Sequence, residues 1–145
     1  MKSAKEQFFI LLCQSKIKDY GDNGKVRDPL TEKIIDACYR VHTELGPGFV
    51  ERIYMNALII ALKKRNLQFL TEKEFTVKYE GKSVGKFRAD LVVNDTVIVE
   101  LKAVEGRMPK IFESQIISYL KASDIKVGLL VNFGNRSCEV RRLMR

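Results

Sequence analysis

Asp90 and the run Glu100-Leu101-Lys102 carry the residue types in this chain best suited to chemistry, and the residues between them read as a β-hairpin. Within it, Ala89, Leu91, Val93, Val97, Val99, Leu101 and Ala103 are apolar at odd positions, as one buried face of a sheet requires. Arg88, Asp90, Val92, Ile98, Glu100 and Lys102 make up the even set. Loop length decides whether the charges meet. A two-residue Asn94-Asp95 turn pairs Val93 with Thr96 and sends Asp90 and Glu100 to opposite faces. A three-residue loop, Asn94-Asp95-Thr96, pairs Val93 with Val97, Leu91 with Val99 and Ala89 with Leu101. Only the longer loop keeps the apolar residues on one side, so it predicts Asp90 opposite Glu100 with Lys102 one step along. Facing carboxylates repel. A divalent cation such as Mg²⁺ would relieve them, using one or two carboxylates and leaving positions for water and phosphate oxygens. The ordinary alternative is a solvated polar face on which Lys102 neutralises one acid.

The elements that must position these residues follow from periodicity. Asp28-Pro29 starts a helix carrying Ile34, Cys38, Val41 and Leu45 at helical spacing, and Gly46 stops it. His42 lies beside that stripe and reads as a packed or capping residue. Gly46-Pro47-Gly48 turns the chain into a second helix, about 50–65, with Val50, Tyr54, Ala57, Leu58 and Ala61 as its buried side. Glu51 and Tyr54, three apart, project together at the edge of that side. The helix dipole alone favours a first-turn glutamate. A carboxylate beside an apolar stripe is costly without a partner, however, which makes Glu51 a candidate for the site.

A strand over 68–79 and the turn Glu80-Gly81-Lys82-Ser83 lead into the Asp90 strand, making a three-stranded meander. Pro109 opens a helix to about Ala122, with Phe112, Ile116 and Leu120 buried and Gln115 and Tyr119 sharing a face. Val127-Gly128-Leu129-Leu130-Val131 is apolar throughout, as in a strand covered on both sides, and 137–143 forms a last strand. The order is ααβββαββ, an α/β domain with a mixed sheet flanked by helices over 29–145. Residues 1–28 read as a short helix, 4–17, and a polar linker.

Composition narrows the class. The 145 residues carry a net charge of +8, which suits a polyanionic partner such as nucleic acid. Three scattered cysteines and one histidine argue against a disulfide framework, a zinc site or an iron–sulfur cluster, and suit the cytoplasm. No run reaches the length of a membrane span. Phe8-Phe9-Ile10-Leu11-Leu12-Cys13 is too short for a secretory core and follows Glu6.

Asp90, nine residues, then Glu100-Leu101-Lys102 resembles the D…ExK core of the PD-(D/E)XK nuclease superfamily, whose restriction-endonuclease-like fold has this element order. Gln115-Ile116-Ile117-Ser118-Tyr119 is similar to the QxxxY motif of RecB-like members, and Gly48-Phe49-Val50-Glu51-Arg52-Ile53-Tyr54 resembles the signature of the GxxExxY protein family. The resemblance runs from about Leu30 through Gly134. It implies Asp90 and Glu100 as ligands of Mg²⁺ or Mn²⁺, with the Leu101 carbonyl beside them and Glu51 as the helical acid, direct or through water. It implies that Lys102 orients or helps deprotonate the attacking water, that Gln115 and Tyr119 position Lys102 or a phosphate, and that Tyr54 supports Glu51. The implied activity is phosphodiester hydrolysis in DNA or RNA. A nuclease-like module that binds nucleic acid or assembles without turnover, and a protein scaffold, are the alternatives.

Overall fold

Asp28 opens the part of the chain that the computed structural model describes, residues 28–145. Its carboxylate accepts the Thr31 amide at 2.8 Å and the Thr31 hydroxyl at 2.6 Å, capping α1 (Pro29–Leu45). Gly46, at φ 71°, ends that helix and donates its N–H to the His42 carbonyl at 2.8 Å. The helix α2 (Glu51–Lys64) follows, tied to α1 by Arg65 on Asp36 at 2.8 Å. Val50 is the residue before α2, extended in backbone and 66% exposed, so it does not join the buried side as the sequence predicts. That side is Tyr54, Met55, Leu58, Ala61 and Leu62. The helix expected over 4–17, with its linker, lies outside the described residues.

The strands are β1 (Phe69–Tyr79), β2 (Lys82–Val93) and β3 (Val97–Lys102), then, after α3 (Ile111–Ser123), β4 (Val127–Asn132) and β5 (Glu139–Met144). The element order is the one read from the sequence. They form a single sheet in the order β1-β2-β3-β4-β5, with β3 and β4 parallel and the other neighbours antiparallel. The parallel pair needs a crossover, and α3 supplies it. Two-residue reversal at Glu80-Gly81, both at positive φ, joins β1 to β2. Three residues, Asn94-Asp95-Thr96, join β2 to β3: Thr96 N–H bonds the Val93 carbonyl at 3.1 Å and Val93 pairs with Val97.

Two cores sandwich the sheet. Ile34, Cys38, Leu58 and Leu62 of α1 and α2 pack on Leu91, Val93, Val99, Leu129 and Val131. Ile116 and Leu120 of α3 pack on Val92, Ile98 and Leu130 of the other face. β4 is therefore covered on both sides, as its unbroken apolar run requires.

Close approach of α3 to β4 depends on Gly128, where an added Cβ would stand 2.5 Å from Ile116 Cγ2. Gly128→Ala should lower the unfolding free energy by about 1–3 kcal/mol through overpacking. In an Ile116→Leu background, which removes the β-branch, the same change should cost less in urea titrations; equal costs in both backgrounds would show that this contact does not set the helix distance.

Candidate active site

A break in the β1–β2 ladder shapes the site. Pairs run from Phe69 with Val93 to Thr71 with Leu91 and resume at Lys73 with Ala89, skipping Glu72 and Asp90. Glu72 has φ 52°, a left-handed conformation uncommon for a side-chain-bearing residue and foreign to a strand. Across that step β2 changes faces. Ala89 packs with Val92, Ile98 and Leu130 beneath α3, whereas Leu91 and Val93 pack beneath α1 and α2. Ala89 thus departs from the one-sided apolar face expected for the hairpin.

The β2–β3 ladder ends at Leu91–Val99 and does not continue to Ala89 and Leu101. Carboxylates take over there. The Asp90 N–H donates to Glu100 Oε1 at 3.0 Å, and the Leu101 N–H donates to Asp90 Oδ2 at 2.8 Å. The two acids meet, as the sequence predicts, each gripping the other strand's backbone. A normal ladder would have left those carboxylates side by side without such donors.

Burial and like charge then strain the acids electrostatically. Glu100 is only 5% exposed, and its carboxyl is pushed up to about 8, first by desolvation and next by the Asp90 charge. The Asp90 N–H and the Lys102 ammonium pull the other way. Glu51, first residue of α2 and at the exposed rim, is also raised: desolvation leads, Lys102 opposes it and Asp90 adds to it. Glu51, Asp90, Glu100 and Lys102 therefore act on one space.

Lys102 stands half-buried with its ammonium 4.3 Å from the centre of the Phe112 ring, a cation–π contact. The Gln115 amide nitrogen donates to the Tyr119 hydroxyl at 2.9 Å. Tyr119 stacks on Phe87 at 4.1 Å, and Phe87 on Phe75 at 5.1 Å. Desolvation and the Glu100 and Asp90 charges raise the Tyr119 phenol against the pull of the Gln115 bond, so it stays protonated. Lys102, Phe112 and Gln115, with Ile111, Ser114 and Ser118, line an open depression of about 380 Å³.

Tyr54 acts at one remove. It is fully buried, its hydroxyl donates to the Gly46 carbonyl at 2.6 Å and accepts the Phe49 N–H at 3.2 Å, and its ring stacks on Phe133 at 4.7 Å. It pins the 46–49 turn that delivers Glu51. His42 is packed rather than catalytic, stacked near Phe133 with Nε2 2.7 Å from the Asn135 carbonyl oxygen. Arg52 reaches Glu72 at 3.2 Å and ties the first turn of α2 to the break in β1. Burial pushes the Cys38 thiol up to about 12, so it is no nucleophile.

Sequence reasoning placed Phe112 in the core and gave no role to Phe87 or Glu72. Phe112 precedes Gln115 by three and Tyr119 by seven, so its place on the site-facing side of the helix was readable from spacing. Nothing local announces the backbone of Glu72.

The donor set is all oxygen, from two touching carboxylates with a third acting through charge, and it fits a hard divalent cation that keeps several waters. Among the described residues no three His, Cys, Asp or Glu side chains gather into a cation site. The fit is therefore to the Asp90–Glu100 pair. No described helix is long and apolar enough to cross a membrane.

Mixed sheet, flanking helices and opposed acids define an α/β domain with a nuclease-like core. The chain belongs to the PD-(D/E)XK nuclease superfamily, whose model matches residues 28–143. No curated protein matches it significantly. Among solved structures, the crystal structure of SSO0001 is similar, at 16% identity over 99% of this chain and 78% of that one, with a TM-score of 0.47.

The buried acid has a consequence for stability. The folded state holds the Glu100 proton up to about pH 8, whereas the unfolded chain releases it near 4.5. The fold therefore binds more protons across that window, and stability falls as pH rises through it. Glu100→Gln keeps the acceptor and cannot ionise. With chelator present it should stabilise the fold by about 1–3 kcal/mol above the upper end of that window and change little below the lower end. Urea denaturation across the range measures this; a variant with the wild-type pH slope would refute it.

Proposed function

We propose that this chain is a divalent-metal-dependent nuclease that hydrolyses phosphodiester bonds in DNA or RNA, and that within its superfamily it belongs to the GxxExxY group. The GxxExxY reading rests on Gly48, Glu51 and Tyr54 at the signature spacing. The observation that carries the activity is the mutual grip of Asp90 and Glu100 where the ladder opens, with Lys102 next on the same strand. Residues 29–145 would be the nuclease domain. The buried Cys38 thiol suits a reducing cytoplasm.

Asp90 and Glu100 would hold Mg²⁺ or Mn²⁺, with the Leu101 carbonyl and Glu51 available to it directly or through water. Such a cation supplies an acidified water and offsets charge on the phosphate. The chain's own residues do the rest. Lys102, held over Phe112, orients the attacking water and stabilises the negative charge developing on the phosphate. Tyr119 takes a hydrogen bond from Gln115, which leaves its own proton to donate to a phosphate oxygen. The +8 charge draws the polyanion in.

Labelled single- and double-stranded DNA and RNA, incubated with protein and either metal, test the reading. Cleavage should require the metal, and Asp90→Asn, Glu100→Ala and Lys102→Ala should each slow it by about 10²-fold or more. Undiminished cleavage by these variants would assign the activity to a contaminant. Salt-sensitive binding with the substrate left intact would instead favour binding without turnover.

A further inference from the structure

We infer that the cavity beside the first turn of α3 is a second nucleic-acid subsite, in which Arg107 and Lys110 grip the phosphates of a single strand a few nucleotides from the scissile bond. The inference rests on the proposed action on nucleic acid, and its observations lie outside the acid cluster.

Residues 103–110 carry the chain from β3 to α3, and two asparagines hold them rigidly. Asn132 accepts the Val104 N–H and donates to the Val104 carbonyl, both at 3.0 Å. Asn135 does the same with Gly106, both at 2.8 Å. Each amide thus replaces a strand's pairing edge. Gly134 lies so close to the Val104 backbone that no Cβ would fit, and Met108 is buried at 1% exposure. A loop fixed this firmly aims whatever it carries.

It carries Arg107 and Lys110, both exposed and neither with an ion-pair partner among the described residues. They line a cavity of about 740 Å³ together with Tyr39, Asn135 and Ser137. Arg141 pairs with both acids of the cavity, Glu113 and Glu139, and with Arg107 and Lys110 the lining keeps a net positive charge. The first turn of α3 is closed by its own backbone, Phe112 N–H on the Pro109 carbonyl at 3.2 Å and Glu113 N–H on the Lys110 carbonyl at 3.0 Å, so an anion here would be held by the two side chains. Two exposed cations without ion-pair partners, three residues apart on a firmly held loop, suit phosphate.

The cavity adjoins the site. Lys110 and Glu113 face it, while Ile111, Phe112 and Ser114 face the depression with Lys102. The body of α3 separates the two, a width of about 10 Å that a few nucleotides span. Ile111 sits on that crest, 67% exposed. An apolar crest between two cationic hollows suits an unstacked base over a backbone that dips on either side, which a duplex cannot offer.

Fluorescence anisotropy with labelled single strands and their duplex, in chelator so that nothing is cut, tests this with the full chain. Single strands should bind more tightly than the duplex. Arg107→Ala with Lys110→Ala should weaken single-strand binding about tenfold or more and flatten the log K against log salt slope by about one unit. The control pair Lys78→Ala with Lys82→Ala, of equal charge loss at the far hairpin, should have little effect; all three proteins should melt alike. Unchanged binding in the first pair, or equal weakening by the control pair, would overturn the subsite. Duplex binding as tight and as sensitive would overturn its single-strand character. Since the assay needs no turnover, failure to cut under the earlier test leaves this result standing, and failure here leaves cleavage untouched.

Discussion

Two carboxylates are held together at the point where a β-ladder opens, and this costly arrangement organises the rest of the structure. Asp90 and Glu100 could have been separated by one residue of register or bathed in solvent. Instead each accepts the other strand's N–H, and Glu100 is buried deeply enough to keep its proton near neutral pH. Burying opposed acids costs stability unless a counter-charge arrives. The protein is thus built around a strained acid pair that a cation would relieve by taking the place of the Glu100 proton, a common price of a functional site.

The surrounding elements serve that pair. The left-handed backbone at Glu72 breaks the β1–β2 ladder opposite Asp90 and lets β2 exchange faces there. Arg52 ties this break to the turn of α2 that bears Glu51, and Tyr54 fixes the loop leading into it. On the other side Gly128 lets α3 sit close enough for Phe112 to lie under Lys102 and for Tyr119 to feel both acids. Asn132 and Asn135 clamp the loop that follows Lys102. Distant packing and local chemistry therefore share the same few side chains.

Much of this was legible in the sequence. The element order followed from periodicity and turn residues, and the three-residue loop followed from keeping apolar residues together, which also placed Asp90 against Glu100. Both readings rest on local pattern. Ala89 was misplaced because strict alternation assumes an unbroken strand, and the break comes from a partner strand distant in sequence. Val50 was misplaced because an apolar residue just before a helix mimics its first buried position. The role of Phe112 escaped notice because an aromatic at core spacing reads as core, although it also supports a cation.

The most direct measurement is diffraction from crystals soaked in Mn²⁺, read from the manganese anomalous signal. The account predicts one strong peak between the Asp90 and Glu100 carboxylates, within coordination distance of both. No peak there at saturating metal, or a peak elsewhere with the two acids still bonded only to backbone amides, would contradict it.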